Sequence, residues 1–412
     1  MHYKSVSTYF IFNVLSALIP IFAIPFLTRY LTPEEFGLFT VFTVISMFAG
    51  NIFRLELNMA LKREYVDNPK DFSKFISTAF VFSTFMLIPY CLIVFLAMPF
   101  VDTFYEIPLS WMILIILLSY FRSQIINLHH LWQITNKALP YGIWGLIATA
   151  SVFVITIILI LFKSADWQSR AWAEWIIGLI SLLIAVYFLR KDYALKWRFE
   201  QGVLTKMLRY SLPLLPSTLM GYIFLVSDRI FITEFGGMYE LGLYSVAVQI
   251  AGSVGLIYGA ILPAWESWIY TKLGSINRTA IRIIFMRLFI IILLSALMMT
   301  ILPQILKFLM PYLTGKSFAS AEAFLFPCLL SAISAGFFSL CKTPLLFMRR
   351  TTTIAYIDVS MLVINVICMY FFVSQMGAIG AAYALAITFT YGSLLQLFFV
   401  FRFQERILVK CP

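Results

Sequence analysis

Charged residues are scarce in this sequence. Asp, Glu, Lys and Arg make up 12% of its 412 residues, whereas about 25% is usual in soluble domains. Hydrophobic residues make up 62%, so a water-soluble fold would have too little polar surface to cover itself. This composition excludes an ordinary soluble protein and makes lipid the solvent for much of the chain. Because lipid offers no hydrogen bonds, the spanning segments must be helices or closed barrels.

The sequence also lacks the motifs of metal, disulfide and nucleotide chemistry. It has no Cys-x-x-Cys pair and no phosphate-cradling glycine loop, so we predict no disulfide, no metal site, no cofactor and no direct use of ATP. We interpret the scattered cysteines as unpaired apolar fillers. They are Cys91, Cys328, Cys341, Cys368 and Cys411.

Long apolar runs are abundant. Strands of a membrane barrel would alternate in polarity over about ten residues. These runs are continuous and about twenty residues long, the length of a helix that crosses about 30 Å of hydrocarbon. We therefore predict an all-α polytopic membrane protein with about twelve transmembrane helices. The expected spans are residues 9–30, 36–57, 75–98, 110–134, 140–162, 171–189, 210–234, 239–264, 282–305, 320–341, 354–374 and 378–401.

Most of the 30 Lys and Arg residues fall in the connections on one side of these spans. Loops rich in Lys and Arg face the cytoplasm under the positive-inside rule, so the pattern predicts a multi-pass protein with both termini cytoplasmic. The same rule explains the net charge of +11, and we predict no nucleic-acid partner. The opposite side has only Arg29, Lys163, Arg170, Lys307 and Lys316.

A short repeat divides the chain into halves. Residues 35–41 read EFGLFTV and residues 240–246 read ELGLYSV, so Gly37 aligns with Gly242. Each half begins on the same side of the membrane, which indicates a parallel repeat about an axis along the membrane normal. We predict an N-terminal six-helix lobe (1–189), a cytoplasmic amphipathic linker (190–209) and a C-terminal six-helix lobe (210–412) around a central cavity.

Four stretches resemble one family of membrane proteins. PFLTRYLTPEEFGLF at residues 25–39 resembles the first hairpin of the bacterial polysaccharide flippases. These proteins export lipid-linked repeat units of O-antigen and capsule, and belong to the multidrug/oligosaccharidyl-lipid/polysaccharide exporter superfamily. YSLPLLP at 210–216, SDRIFI at 227–232 and ELGLYSVA at 240–247 look like the opening of that family's second half.

The resemblance implies two lobes that give alternating access, a location in the bacterial inner membrane and no enzymatic reaction. The implied cargo is an undecaprenyl-pyrophosphate-linked oligosaccharide, moved from the cytoplasmic to the periplasmic leaflet for lipopolysaccharide biosynthesis. The implied partners are this lipid-linked substrate, membrane lipids, a polysaccharide polymerase and a chain-length regulator.

Two other functions stay open. A membrane-embedded polysaccharide polymerase or glycosyltransferase usually needs a sizeable outer loop or external acids, and the outer loops here are short. The other is a different transporter of the same superfamily, either a drug/cation antiporter or the peptidoglycan-precursor flippase type. An antiporter for cationic drugs would need acidic residues in its cavity. The charged residues near the middle of the spans are mainly cationic (Arg122 and Arg229), which favours a substrate with an anionic lipid head group.

Arg122 is the strongest candidate for substrate binding. It lies near the middle of the fourth span, where an arginine costs about 2.5–3.5 kcal/mol on insertion scales, so it should face protein or water. Helical spacing aligns it with Ser119, His129 and Gln133 in one polar stripe. We predict that Arg122 and His129 contact the substrate; a structural ion pair for Arg122 and an interfacial position for His129 are the alternatives.

The remaining candidates are charged residues in or beside the spans. We predict substrate binding for the cations and coupling or gating for the carboxylates. The alternatives are mutual neutralisation of Asp228 and Arg229, and ordinary interfacial positions for the others, Asp358 above all. The cations are Arg229, Arg54 and Arg29, and the carboxylates are Asp228, Glu56, Glu266 and Asp358.

Overall fold

The computed structural model describes residues 2–101, 103–272, 278–348 and 350–408. Cys411 and the extreme termini, which the sequence predictions include, lie outside these residues. The helices are α1 (His2–Tyr30), α2 (Pro33–Arg54), α3 (Leu57–Asp67), α4 (Phe72–Phe85), α5 (Leu87–Ala97), α6 (Leu109–Ile134), α7 (Ala138–Phe162), α8 (Trp167–Tyr193), α9 (Gln201–Ser211), α10 (Leu215–Ala251), α11 (Ser253–Lys272), α12 (Arg278–Leu313), α13 (Glu322–Phe347), α14 (Thr351–Met376) and α15 (Ala378–Leu408).

The helices confirm the all-α polytopic membrane fold. Within the described ranges, eleven helical segments are long and apolar enough to cross a membrane. Helix α7 shows why: few of its residues are buried, and its exposed side chains include Ile147, Val154 and Phe162. A water-soluble helix would not expose such a surface, whereas lipid tails solvate it.

One of the eleven segments accounts for two of the predicted spans. Val226–Tyr270 contains 45 residues, which at 1.5 Å per residue is about twice the length needed to cross about 30 Å of hydrocarbon. The backbone leaves helical geometry at Gly237, where φ is 74° and ψ is −177°. This break lies between the predicted seventh and eighth spans, so the segment accommodates both.

The sixth span begins earlier than the sequence predicts. Helix α8 starts at Trp167 rather than at residue 171, because the Asp166 carboxylate accepts a hydrogen bond from the backbone N–H of Ser169 at 2.9 Å and caps the helix. The interpretation of Arg170 as a loop residue is therefore wrong. Both Arg170 and Glu174 lie inside a spanning helix.

By its contacts the chain divides into two compact units. The first unit contains residues 1–20 and 38–222, and the second contains residues 21–37 and 223–412. Helix α1 is continuous across residue 20, so its two ends belong to different units. The turn of the first hairpin, residues 21–37, groups with the later part of the chain.

In the first unit the short helix α9 packs on the bundle. Met207 of α9 is buried in a core with Ile76, Leu128, Trp132 and Leu189, while Thr205 and Arg209 are exposed. Hydrogen bonds tie the preceding loop to α4. They run from Ser73 Oγ to the Ala194 carbonyl oxygen at 2.6 Å, and from the Lys196 backbone N–H to Ser77 Oγ at 3.0 Å.

The second unit brings the two repeat glycines together. A methyl group on Gly37 would overlap the carbonyl oxygen of Met238, and one on Gly242 would overlap the carbonyl oxygen of Pro33. The start of α2 and the middle of α10 therefore touch backbone to backbone. Only glycine leaves room for this approach, which gives a physical reason for glycine at both positions of the repeat.

Candidate functional site

Arg122 belongs to a polar seam between two helices of the first unit. Its Nη1 donates a hydrogen bond to Ser46 Oγ on α2 at 3.1 Å, and the neighbouring Ser119 hydroxyl donates to the Ser46 carbonyl oxygen at 3.1 Å. Ser46 and Ser119 are buried, whereas the Arg122 side chain keeps 31% of its surface exposed. The guanidinium at mid-helix thus lies among hydroxyls and remains reachable.

Glu174 of α8 is the acidic partner of this arginine. Its Oε2 accepts a hydrogen bond from Arg122 Nη2 at 2.6 Å, and its side chain is only 7% exposed. The ion pair that was the alternative for Arg122 is therefore present in the structure. It does not by itself exclude binding of a ligand, because a guanidinium has five N–H donors.

Arg170 supplies a second cation on the other side of the carboxylate. Its Nε lies 3.7 Å from Glu174 Oε1, and its Nη1 donates to Thr156 Oγ1 of α7 at 3.4 Å. The guanidinium also lies over the Phe39 ring, 5.2 Å from its centroid. Arg122, Glu174 and Arg170 form the cationic triad: two arginines share one carboxylate, so the group has a net positive charge.

Arg54 extends the seam toward the other end of α2. A methyl group on Gly50 would lie 3.9 Å from Arg54 Nη1 and 4.0 Å from Ser119 Cβ, so this guanidinium points back along α2 toward α6. Arg54 also donates to Asn51 Oδ1, and its Nε is a buried atom without a hydrogen-bond partner in the described part of the chain. The polar seam thus has Arg122 at one end and Arg54 at the other.

Glu56 lies directly beyond α2 in a strained turn. Leu55 and Glu56 have φ values of 46° and 55°, and the Glu56 side chain is buried. Its carboxylate faces Lys62 of α3, where burial lowers the lysine pKa and the nearby carboxylate opposes that shift. Non-glycine residues at positive φ are uncommon, so the surrounding packing must hold this turn.

His129 lies further along α6 in an aromatic environment. Its ring is stacked with Trp132 and tilted against Tyr141, with centroid distances of 5.7 and 4.8 Å. Within the described residues its Nε2 is buried and has no hydrogen-bond partner. The structure places no polar group of the cationic triad on this ring, so its role in substrate binding stays a prediction.

Asp228 and Arg229 form a closed pair in the second unit. Arg229 Nη1 donates to both Asp228 oxygens, at 2.8 and 2.9 Å, and the Tyr244 hydroxyl donates to Oδ2 at 2.8 Å. Asp228 is 1% exposed and Tyr244 is fully buried. The two charges are thus paired with each other, as in the alternative to a substrate or coupling role, and Tyr244 is a partner that the sequence did not reveal.

The last three candidates lie apart from the cationic triad. Arg29 is exposed at the end of α1, with Nη2 3.5 Å from the Tyr312 carbonyl oxygen. Asp358 of α14 pairs with Lys342 of α13 at 3.1 Å. Glu266 of α11 is half-buried and has no ion-pair partner among the side chains that the structure describes.

Metal binding has no structural support in the described ranges. No group of three His, Cys, Asp or Glu side chains there is placed to hold a metal ion. The cysteines Cys91, Cys328, Cys341 and Cys368 are free thiols.

Comparison with known sequences identifies one family. The sequence model of the family described as "Polysaccharide biosynthesis protein" matches residues 3–265. A putative O-antigen transporter of Shigella flexneri is 25% identical over 273 residues, which is 61% of this chain. The alignment spans 63% of that relative's length, less than two thirds.

Solved structures with similar folds are membrane transporters. The lipid II flippase MurJ, in an inward closed conformation, has a TM-score of 0.76 with 16% identity, covering 95% of this chain and 87% of that one. An inward-facing multidrug resistance MATE family transporter of the MOP superfamily has a TM-score of 0.65 with 15% identity, covering 96% of both chains. At these identities the likenesses show a shared fold.

Proposed function

Because the matched residues 3–265 exceed half of its length, the chain belongs to the polysaccharide biosynthesis protein family, and from this premise we propose that it is a flippase. Its proposed cargo is an undecaprenyl-pyrophosphate-linked oligosaccharide, such as an O-antigen repeat unit. The proposed direction is from the cytoplasmic to the periplasmic leaflet of the inner membrane, by alternating access and without a chemical reaction. The name of the Shigella flexneri relative, an O-antigen transporter, supports this cargo.

The observation that carries the proposal is the cationic triad. A pyrophosphate that enters hydrocarbon loses its hydration, and this cost must be offset by cations in the protein. Arginine matches phosphate oxygens with two parallel N–H donors. Arg122 presents such donors near the middle of a candidate spanning helix with part of its side chain exposed, and the hydroxyls of Ser46 and Thr156 lie beside the two arginines.

The other roles in this proposal follow the sequence predictions. Arg54, Arg229, Arg29 and His129 are proposed to contact substrate, and Asp228, Glu56, Glu266 and Asp358 to serve coupling or gating. The proposed architecture is two six-helix lobes, 1–189 and 210–412, joined by the linker 190–209, with both termini cytoplasmic. The proposed partners are the lipid-linked substrate, membrane lipids, a polysaccharide polymerase and a chain-length regulator.

A cation antiporter is the weaker alternative on charge grounds. Such a transporter needs an available carboxylate in the interior. Within the candidate spans that the structure describes, the buried carboxylates are Glu174 and Asp228, and each pairs with arginine, at 2.6 and 2.8 Å. The cationic triad, with its net positive charge, favours an anion over a cation.

Replacement of Arg122 tests the function. In a strain that lacks the gene, Arg122→Ala should lower surface polysaccharide at least about tenfold, which corresponds to 1.4 kcal/mol, while undecaprenyl-linked repeat units accumulate inside. Surface polymer is measured by immunoblot at matched protein level. Arg122→Lys should restore part of the polymer, because it keeps the charge and loses the two-donor geometry.

Arg63 offers the matched control. It also pairs with a carboxylate, Asp67 at 3.1 Å, but both side chains are at least half exposed and lie outside the spans. Arg63→Ala should therefore leave the polymer unchanged. Full polymer with Arg122→Ala at normal protein level would remove Arg122 from the mechanism.

A further inference from the structure

We propose that Glu174 is a displaceable counter-anion: it occupies the phosphate-binding donors of Arg122 and Arg170 when substrate is absent, and the diphosphate displaces it. This inference rests on the proposed function and adds to it a residue that sets the affinity of the site. It assigns a role to a carboxylate that the sequence did not single out.

The two oxygens of the Glu174 carboxylate are held unequally by the two arginines. Its Oε2 is held by Arg122 at 2.6 Å, whereas Oε1 is 3.7 Å from Arg170 Nε, too far for a hydrogen bond. Arg170 Nε is accordingly a buried atom without a hydrogen-bond partner in the described ranges. The Nε–H donor of Arg170 thus makes no hydrogen bond to the Glu174 carboxylate beside it, although such a bond would stabilise the fold.

The donors that remain free can take a larger anion. Among the residues that the structure describes, Arg122 uses one N–H group on Ser46 and another on Glu174, which leaves three of its five donors. Its side chain is 31% exposed, against 7% for Glu174 and 16% for Arg170. An incoming anion therefore meets Arg122 first, with the carboxylate behind it.

Electrostatic repulsion displaces Glu174 when the diphosphate binds. A diphosphate bound to both arginines would lie against the carboxylate, and like charges a few ångströms apart repel strongly in a medium of low dielectric constant. The carboxylate must then leave the guanidinium donors. Because one anion replaces another, the arginines are never left without a partner, which would be costly at this depth.

The exchange also explains how the substrate is released. A site of two unopposed arginines would hold a diphosphate too tightly for rapid turnover, and transport requires binding that is weak enough to reverse. Glu174 competes for the same donors and so returns when the diphosphate leaves. Removal of its charge should tighten binding and slow release.

Binding of inorganic pyrophosphate to the purified full-length protein tests this inference. We expect Glu174→Gln to bind about tenfold more tightly than the wild type, measured by calorimetry in nanodiscs, and to export less polysaccharide. Arg122→Gln should bind at least about tenfold more weakly. The control is Glu64→Gln, which removes another buried carboxylate, paired with Lys206 at 2.7 Å outside the spans, and should leave the affinity unchanged.

Arg170→Gln is a second test variant, which keeps the inference testable if Glu174→Gln does not fold. It leaves a neutral Arg122–Glu174 pair, so pyrophosphate affinity should fall at least about tenfold; an unchanged affinity would overturn the inference. Equal or weaker binding by folded Glu174→Gln would also overturn it, while loss of polymer with Arg122→Ala would leave the flippase proposal standing. If neither wild type nor Glu174→Gln binds pyrophosphate, and Arg122→Ala keeps its polymer, both proposals fail.

Discussion

The buried carboxylate of Asp228 accepts four hydrogen bonds. Three come from Arg229, one from its backbone N–H and two from Nη1, and the fourth comes from Tyr244 Oη, all between 2.8 and 2.9 Å. Asp228 and Tyr244 lie on opposite sides of the break at Gly237. The tyrosine hydroxyl therefore ties the two parts of α10 together through a charged acceptor.

Removal of that hydroxyl should cost stability. A hydrogen bond to a charged group contributes about 1.5–3 kcal/mol, so Tyr244→Phe should lower the thermal unfolding temperature in detergent. Asp228→Ala should cost more, about 3–5 kcal/mol, because it removes the carboxylate of a buried ion pair. Tyr239→Phe is the control, since this tyrosine of α10 is 44% exposed. Equal unfolding temperatures for Tyr244→Phe and Tyr239→Phe would contradict this account.

The sequence identifies only part of the cationic triad, for a physical reason. Arg122 stands out because it interrupts a long apolar run, and its insertion cost is visible from composition. Glu174 and Arg170 lie within two turns of the start of α8, near Trp172 and Trp175, where charged and aromatic residues ordinarily mark the membrane interface. Arg122 and Glu174 are 52 positions apart in the sequence. A local sequence pattern does not predict a contact over that separation.

At the scale of elements, the repeat glycines set how closely two hairpin segments approach. Gly37 and Gly242 each leave space for a backbone carbonyl of the other segment. The sequence shows the repeat but not the contact, because similarity between two segments carries no information about their distance. The all-α fold with many spans was predictable, since apolar length alone decides which segments can cross lipid.

Substitution at either glycine should therefore be costly. Gly37→Ala and Gly242→Ala each force a methyl group against a backbone carbonyl, and overpacking of this kind costs about 1–3 kcal/mol. The measurement is thermal unfolding followed by fluorescence-detected size exclusion. Gly145→Ala in α7 is the control: a methyl group there meets nothing within 4 Å, and alanine favours the helix. If all three variants unfold alike, close packing does not explain the glycines.

For the whole molecule, the distribution of Lys and Arg fixes the expected orientation. The connection between α8 and α9 has Lys196 and Arg198 with the exposed aromatic side chains of Trp197 and Phe199. The short connection between α7 and α8 lies one crossing away. The positive-inside rule places the first connection in the cytoplasm and the second outside.

Cysteine labelling in intact cells measures this orientation. In a background with the native cysteines replaced, Ala165→Cys between α7 and α8 should react with a membrane-impermeant maleimide. Arg198→Cys should react only after the cells are permeabilised. Both positions are exposed in the structure, so burial does not account for a difference. The reverse pattern would mean that the termini face the periplasm.

The separation of Arg122 from its acidic partner also has a consequence for biogenesis. Helix α6 is synthesised before α8, and the ion pair between them closes a stretch of 52 residues. Until α8 emerges, α6 enters the bilayer with an unpaired arginine that costs about 2.5–3.5 kcal/mol. Helix α7, which is almost entirely apolar, has no such cost. We therefore expect helices α6 to α8 to complete their insertion as a group, with α8 stabilising α6.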